Sequence, residues 1–325
     1  MTAVGLLPDS VGEKECNGNF LTFVVAAPGG CNLSCAFCSV RQRREIGKHS
    51  LHPNDLVRFI EEIAERSPIY ALAIQGYEPL LPESLPYTDA ILTTGQRLSL
   101  PTTLVTNGVL LGGALGLLNR LAPTKIAISL DSASAETHDR VRGVTGAWAA
   151  TVRNIKRAVE SLAPRTSIAV SSVLLPSRAY HLQGMPARLR EIGVKQWIVN
   201  PLLRFGPANT NGPVGNRQHL LRDLLGLQEM ADQASIHFTV DDEFDRLGRE
   251  PAIARQREFG ALRIRTLPPK VDIYRMSPSG QTWKGEDILE EADAGSPRWR
   301  PGADHASDFL ANLSDQTDRK YRPSS

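Results

Sequence analysis

Apolar and polar positions recur along this chain with two periods, one typical of strands and one typical of helices. In HPNDLVRFIEEIAER at 52–66, the apolar residues Leu56, Phe59, Ile60 and Ile63 follow the spacing i, i+3, i+4, i+7, which places them on one helix face. Short apolar runs without that period precede each such segment. The strand-like runs lie at 20–28, 69–76, 101–108, 124–131, 166–176 and 194–206, and the helical runs lie at 52–66, 84–97, 109–121, 146–162, 180–192 and 216–234.

These segments make up six units of a strand followed by a helix. Strands that are separated by crossovers of helix length must run parallel, because a hairpin loop cannot join parallel neighbours. We therefore predict an α/β fold whose six parallel strands curl into a partial (β/α)6 barrel. In such folds the chemistry lies on the loops that leave the carboxyl ends of the strands.

From about residue 236 the pattern changes to short strand-like runs separated by turns, and the last part of the chain is polar. We read this region as a small α+β appendage with weak order, or a helix near 304–313, at its end. The predicted organisation is an N-terminal extension at 1–19, the partial barrel at 20–235, antiparallel strands at 236–290 and a peripheral tail at 291–325.

Composition says little about the reaction, but it limits the partners and the cellular location that we expect. The net charge of +2 makes no electrostatic case for binding nucleic acid or an anionic membrane. The N-terminus lacks a basic segment followed by an apolar one, and no run approaches about 18 apolar residues, so neither a signal peptide nor a membrane span is predicted. We expect a cytoplasmic protein with a small-molecule substrate and no nucleic-acid or membrane partner.

Three of the four cysteines, Cys31, Cys35 and Cys38, lie in one loop directly after the first predicted strand. Clustered cysteines in a reducing compartment indicate metal or redox chemistry more often than disulfides. A structural zinc site needs a fourth ligand, and Cys16 lies upstream without the usual paired spacing. Three thiolates can instead hold three irons of a [4Fe–4S] cluster and leave the fourth iron open to a small molecule. Spacing alone leaves zinc, a cluster and buried packing open.

The segment CNLSCAFC resembles the C-x3-C-x2-C cluster motif of the radical S-adenosylmethionine (radical SAM) superfamily. QGYEPL at 75–80 is similar to the family's Gly-Gly-Glu-Pro motif. TNG at 106–108 and SLDSASAETHDRVRG at 129–143 resemble the branch with molybdopterin 3′,8-cyclases, viperins and SPASM-type maturases. The resemblance spans roughly 20–205. It implies one [4Fe–4S] cluster, SAM bound at its open iron, a 5′-deoxyadenosyl radical that abstracts hydrogen, and an external electron donor of the flavodoxin or ferredoxin kind.

The resemblance also implies roles for individual residues. Cys31, Cys35 and Cys38 would bind the cluster. The residues implied to contact SAM are Phe37, Gly76, Tyr77, Glu78, Thr106, Asn107, Ser129, Ser171, Ser172 and Asn200. Tyr77 stands where the family usually has a second Gly, so its phenol either exchanges a proton with the substrate or packs on the barrel wall. With Tyr77, the acidic residues Asp131 and Glu45 are the predicted catalytic acids or bases.

The substrate is the least constrained expectation. No cysteine follows Cys38, so the chain offers no ligands for an auxiliary cluster that would accept an electron, and a non-oxidative outcome is favoured. The basic residues at 41–48 either grip an anionic group or form a solvated face. By similarity to radical SAM enzymes of natural-product sugar pathways, such as apramycin-type diol dehydratases and cytosylglucuronate decarboxylases, we expect a sugar or aminoglycoside intermediate that loses water. The alternatives are a decarboxylase, an epimerase, a peptide maturase and a non-catalytic Fe–S sensor. For a peptide maturase, the residues before the first strand are too few to form a leader-binding domain.

Overall fold

The described residues form one sheet of ten strands in the order β10-β9-β1-β2-β3-β4-β5-β6-β7-β8. The computed structural model describes residues 20–38, 50–162, 164–175, 179–201, 217–241, 262–265, 271–284, 297–303 and 305–320. The strands are β1 Phe20–Ala26, β2 Ile69–Gln75, β3 Thr102–Thr106, β4 Lys125–Ser129, β5 Ser167–Leu174, β6 Gln196–Pro201, β7 His237–Asp241, β8 Ile264–Arg265, β9 Val271–Met276 and β10 Thr282–Lys284. Glu45, Cys16, the extension at 1–19 and the basic run at 41–48 lie outside the described residues.

Helices connect β1 to β7, and all of these helices except α4 lie where the apolar period predicts a helix. The helices are α1 Pro53–Ala64, α2 Leu85–Arg97, α3 Leu111–Leu121, α4 Ala135–Arg142, α5 Ala147–Leu162, α6 Met185–Glu191, α7 Arg217–Gln233 and α8 Ala306–Lys320. Strands β1 to β6 pair in parallel with their neighbours along the chain. The predicted α/β fold with a parallel, partly barrel-shaped sheet is therefore confirmed.

The C-terminal strands extend this sheet at both of its edges. β7 pairs in parallel with β6, and β8 pairs in parallel with β7. At the other edge β9 pairs in parallel with β1, and β10 alone runs antiparallel, beside β9. The prediction of antiparallel strands over 236–290 is therefore wrong for β7 and β8, whereas β9 and β10 do form an antiparallel pair. Alternating polarity identifies a strand, but the strand it pairs with depends on long-range packing.

Short helix α4 was not predicted, because its sequence AETHDRVR carries too few apolar residues for a helical period. Its ends are nevertheless marked in the sequence. The Ser134 hydroxyl accepts a hydrogen bond from the Thr137 N–H at 3.5 Å, and Gly143 ends the helix with a left-handed backbone. The side chains that α4 buries are His138, Val141 and Arg142.

The two faces of the sheet pack differently. One face packs against the helices in a large apolar core that includes Phe23, Phe59 and Leu72. The other face is the barrel interior, where a separate small cluster consists of Val24, Ala73, Val105, Ala127 and Ile273. Within the part of the chain that the structure describes, no helix is long and apolar enough to cross a membrane.

Candidate cofactor site

The cysteine loop leaves the carboxyl end of β1 and is held by the next loop along the sheet. Cys31 is exposed, Cys38 is half-buried and Cys35 is buried, and none of the three is in a disulfide bond. The N–H of Glu78, in the loop after β2, donates to the Gly30 carbonyl at 3.1 Å. The segments CNLSCAFC and QGYEPL are thus brought together, as the topology of a parallel sheet requires.

The end of α4 supports the same loop from the other side. The Ser34 N–H donates to the Arg142 carbonyl and the Ala36 N–H donates to the Val141 carbonyl, both at 3.0 Å. Gly143 has φ +72, and a β-carbon there would lie 2.5 Å from the Ser34 carbonyl oxygen. The close approach of α4 to the cysteine loop therefore requires glycine at this position.

Three donors point at the cysteine sulfurs. The Leu33 N–H donates to Cys31 Sγ at 3.4 Å, and Asn107 Nδ2, after β3, lies 3.7 Å from the same sulfur. Arg142 Nη1 lies 3.7 Å from Cys35 Sγ. Donors of this kind stabilise thiolate sulfur, which is the form that binds iron.

These residues fit a cluster better than a single ion. Among the described residues, no group of three or more His, Cys, Asp or Glu side chains is placed to hold one metal ion. A [4Fe–4S] cluster instead takes one thiolate per iron, so its ligands need not converge on one point. Burial raises the pKa of the Cys31 thiol to about 11, which means that iron must displace its proton on binding.

Glu78 is a buried carboxylate at the carboxyl end of the sheet. One oxygen accepts from the Thr106 hydroxyl at 2.6 Å and from the Leu80 N–H at 3.0 Å, and the other accepts from the Asn107 N–H at 2.8 Å. Burial raises the pKa of Glu78 despite these hydrogen bonds. A cationic ligand group beside it would favour its ionised form. Thr106 therefore orients Glu78, and its hydroxyl also accepts from the Gly108 N–H at 3.1 Å.

The residues before Glu78 have a left-handed backbone. Gly76 has φ +75, and Tyr77, which is half-buried, has φ +45. For a residue with a β-carbon this conformation costs on the order of 1–3 kcal/mol and persists where the surroundings hold it. Tyr77 thus occupies a conformation suited to the glycine that its motif usually contains.

Asp131, which was predicted to be a catalytic base, is fully buried and already engaged. Its Oδ2 pairs with Arg142 Nε at 2.6 Å, and its Oδ1 accepts from the Val173 N–H at 2.9 Å. This geometry supports a positioning role in place of the predicted proton transfer. Sequence reasoning missed Arg142, although it stands in the quoted motif SLDSASAETHDRVRG, because a helix-terminal Arg is usually a surface residue.

The polar residues at the ends of β4, β5 and β6 divide between the two faces. Asn200 Nδ2 donates to Ser171 Oγ at 2.7 Å, and Ser129 pairs with Ser171 in the sheet, so these three lie together. Ser172 points the other way: its hydroxyl donates to the Leu130 carbonyl and accepts from Trp197 Nε1. Its predicted contact with SAM is not supported, since neighbouring strand residues face opposite sides.

Phe37 lies beside Arg142. The Arg142 guanidinium is 5.3 Å from the centroid of its ring. Within the described part of the chain, the site therefore collects the three cysteines, Phe37, the loop at 76–78, Thr106, Asn107, Ser129, Ser171 and Asn200 at the carboxyl ends of the strands.

Residues 27–177 match the family model described as the radical SAM superfamily. This range contains the cysteine loop, Glu78 and the whole of α4. The chain carries a radical SAM domain. The predicted resemblance and its cofactors, a [4Fe–4S] cluster and S-adenosylmethionine, are confirmed with it.

Other comparisons agree on the radical SAM domain. The chain is 34% identical over 129 residues to the AdoMet-dependent heme synthase of Methanosarcina barkeri. The aligned region covers 39% of this chain and 36% of that protein. The chain is 31% identical over 141 residues to the GTP 3′,8-cyclase of a Synechococcus strain, which covers 41% of this chain and 40% of that protein. The matches thus span about two fifths of either relative.

Solved structures extend the likeness of the fold over more of the chain. SuiB of Streptococcus suis bound to S-adenosylmethionine has a TM-score of 0.71 at 13% identity, and the match covers 95% of this chain and 69% of SuiB. SuiB bound to its precursor peptide SuiA has a TM-score of 0.65 at 14% identity, with 90% of this chain and 64% of that chain covered. At such low identity the likeness concerns the fold alone.

Proposed function

We propose that this radical SAM enzyme acts on a small molecule rich in hydroxyl or amino groups, a sugar or aminoglycoside intermediate, and removes water from a diol of that molecule. The proposal adds a substrate class and a reaction outcome to the chemistry of a radical SAM domain. It also assigns the cluster to Cys31, Cys35 and Cys38.

The observation that carries the substrate class is a buried carboxamide oxygen. Gln75 Oε1, at the end of β2, is at least nine-tenths buried and has no hydrogen-bond partner among the described residues. Gln75 follows Ala73 of the interior cluster by two residues and so lies on the same face of β2. An unpaired buried acceptor costs about 1–3 kcal/mol, which a ligand O–H or N–H can recover.

Different residues of the site would contact different parts of S-adenosylmethionine. Glu78 would pair with the amino group of S-adenosylmethionine. Gly76 has no side chain, so the protein backbone could approach that amino group closely. Ser129, Ser171 and Asn200 would contact the ribose and adenine of S-adenosylmethionine, with Phe37 alongside. When bound and reduced, the cluster and S-adenosylmethionine supply a 5′-deoxyadenosyl radical that abstracts a hydrogen atom.

Tyr77 is the residue that we propose acts on the substrate itself. Its strained backbone lies between Gly76 and the buried Glu78, and its side chain is half-buried. A phenol there can give a proton to a departing hydroxyl group. Loss of water from a vicinal diol yields a deoxy ketone without net oxidation. This outcome suits a sequence whose cysteines beyond the loop amount to Cys16 alone.

A peptide substrate is the second candidate. It is supported by the likeness of most of this chain to SuiB, which was solved with a precursor peptide. Decarboxylation or epimerisation of a sugar would use the same residues and the same non-oxidative balance.

The experiment is anaerobic and measures 5′-deoxyadenosine by mass spectrometry. The protein is reconstituted with iron and sulfide, then given S-adenosylmethionine, a chemical reductant and one of three pools: aminoglycoside precursors, sugar nucleotides or short peptides. We expect stimulation by a sugar pool and a product lighter by one water. Cys35→Ala should abolish the signal, and Cys16→Ala, the same change outside the loop, should retain it.

Each alternative has its own result. Stimulation by peptides alone would replace the sugar proposal with the second candidate, and loss of carbon dioxide or unchanged mass would indicate decarboxylation or epimerisation. A fully loaded protein that never cleaves S-adenosylmethionine would overturn the enzymatic proposal and leave the sensor.

A further inference from the structure

Arg142 joins three parts of the site. It ends α4 and is 8% exposed. Its Nε pairs with Asp131 at 2.6 Å, its Nη1 lies 3.7 Å from Cys35 Sγ, and its guanidinium lies 5.3 Å from the centre of the Phe37 ring. Its backbone carbonyl also accepts the Ser34 N–H.

The contacts of the Arg142–Asp131 pair fix where its positive and negative charges lie. Asp131 lies just beyond β4, and its second oxygen is occupied by the Val173 N–H, so the carboxylate is fixed on the side of β5. The guanidinium lies between this carboxylate and the sulfur of Cys35. Planar guanidinium groups are well suited to such fixed, multi-point contacts, whereas a lysine would supply the charge without the fork.

We propose that Arg142 is a positioning residue for the cluster: it holds Cys35 and Phe37 in place, and its fixed positive charge raises the reduction potential of the cluster. The proposal rests on the assignment of Cys35 as a cluster ligand. It adds to that assignment a residue that sets the readiness of the cluster to accept an electron.

The physical reason is the charge that reduction adds. A reduced cluster carries one more negative charge than an oxidised one, and a nearby buried cation stabilises it through an interaction that solvent screens weakly. Hydrogen bonds to cluster sulfurs act in the same direction. Asp131 opposes this effect, since its negative charge lies on the far side of the guanidinium.

The opposite signs of Arg142 and Asp131 make a test that a structural role cannot imitate. The reconstituted full-length protein and its variants are titrated with dithionite, without substrate, and the reduced cluster is followed by electron paramagnetic resonance. Iron and sulfide contents are measured in parallel. Arg142→Met should shift the midpoint potential to more negative values, and Asp131→Asn should shift it to more positive values.

Two further variants separate charge from geometry. Arg142→Lys keeps the cation and should bring the potential back toward that of the wild type. Arg140→Met removes an arginine from the same helix whose side chain is exposed and contacts Glu136, and it should leave potential and iron content unchanged.

The proposal is overturned if Arg142→Met and Asp131→Asn shift the potential in the same direction, or if neither shifts it. If Arg142→Met binds little iron, the proposal is tested by the other two titrations: Asp131→Asn should shift the potential to more positive values, and Arg142→Lys should stay near the wild type. The result is independent of turnover: a wild type that loads a cluster but modifies no substrate leaves every potential measurable, and only failure of the wild type to bind a cluster removes both proposals.

Discussion

At the scale of single residues, backbone conformation separates Tyr77 from the other polar residues of the site. Non-glycine residues with positive φ are uncommon, and among the described residues they are Tyr77, Ser99, Ala122 and Ser235. Only Tyr77 stands in the cofactor site. The role of the Tyr77 side chain can therefore be tested separately from the strain of its backbone.

We predict that Tyr77→Gly separates stability from substrate turnover. Relief of the left-handed backbone, about 1–2 kcal/mol for a residue with a β-carbon, should offset the lost side-chain contacts, so the free energy of unfolding stays level or rises. Substrate-dependent turnover should fall by roughly 10²- to 10⁴-fold if the phenol transfers a proton. Chemical denaturation measures the stability, and the yield of dehydrated product by mass spectrometry measures the turnover.

The matched control is Ser99→Gly, which relieves the same kind of backbone at an exposed position after α2. It should leave turnover unchanged. If Tyr77→Gly instead destabilises the protein strongly and keeps its turnover, Tyr77 is a packing residue.

His138 makes a second prediction, on pH. It is buried in α4, its Nδ1 accepts the Asp131 N–H at 3.1 Å, and burial lowers its pKa from 6.5 to about 4. Between these values the unfolded chain binds the proton and the folded chain does not, so stability falls as the pH falls. The loss should reach roughly 2 kcal/mol by about pH 5.

His138→Asn keeps an acceptor and cannot titrate, so its free energy of unfolding should depend less on pH than that of the wild type. Urea denaturation at several pH values measures the difference. His219→Asn, at an exposed position of α7, should behave like the wild type. Identical slopes for His138→Asn and the wild type would contradict the assignment.

At the scale of elements, α4 is the support of the cysteine loop. Two backbone hydrogen bonds, the Arg142–Asp131 pair and the close approach of Gly143 all join this helix to β4 or to the loop. A polar helix of eight residues would be marginal alone, so tertiary contacts stabilise it.

We predict that Gly143→Ala impairs cluster loading. The added methyl group would meet the Ser34 carbonyl at 2.5 Å, which forces the cysteine loop to move. Gly146→Ala is the matched control, because Gly146 also has positive φ but nothing lies within 4 Å of its added carbon. Both variants should lose about 1–2 kcal/mol of stability through the backbone, and only Gly143→Ala should lose bound iron after reconstitution. Equal iron contents in the two variants would exclude the support role.

The order of elements could be read from the sequence, since burial period and strand length are local properties. The helical spacing at 52–66 became α1 and the runs at 69–76 and 101–108 became β2 and β3. The site was predictable wherever a residue follows a strand, as Glu78 and Asn107 do. Asp131 and Ser172 were misjudged because their partners, Arg142 and Trp197, lie on other elements.

At the scale of the whole molecule, β9 joins the C-terminal part of the chain to β1. Tyr274 of β9 is buried and stacks on Phe23 of β1, with ring centres 5.7 Å apart. Phe23 in turn contacts Phe59 of α1, which packs on Trp299. These contacts couple the barrel to the segments after it, so that they should unfold together.

We predict that Tyr274→Ala destabilises the barrel as a whole. Removal of a large buried aromatic side chain costs about 3–5 kcal/mol, and tryptophan fluorescence and far-UV circular dichroism should report one shared transition shifted to lower denaturant. Tyr180→Ala, at a side chain that is 65% exposed, should change the free energy of unfolding by at most about 0.5 kcal/mol. Two separate transitions would indicate an independent C-terminal unit.

The sequence by itself determined the local features of residues 20–201: which segments form β1 to β6 and, α4 excepted, the helices between them, that these six strands run parallel, and that three cysteines occupy the loop after β1. These follow from apolar period, crossover length and motif spacing, all of which act over short stretches. Only the tertiary structure decided that β9 lies beside β1, that Tyr77 has a left-handed backbone, and that Arg142 lies between Asp131 and Cys35. Such pairings depend on which distant surfaces fit and which buried charges find a partner, and residues far apart in the chain settle them together.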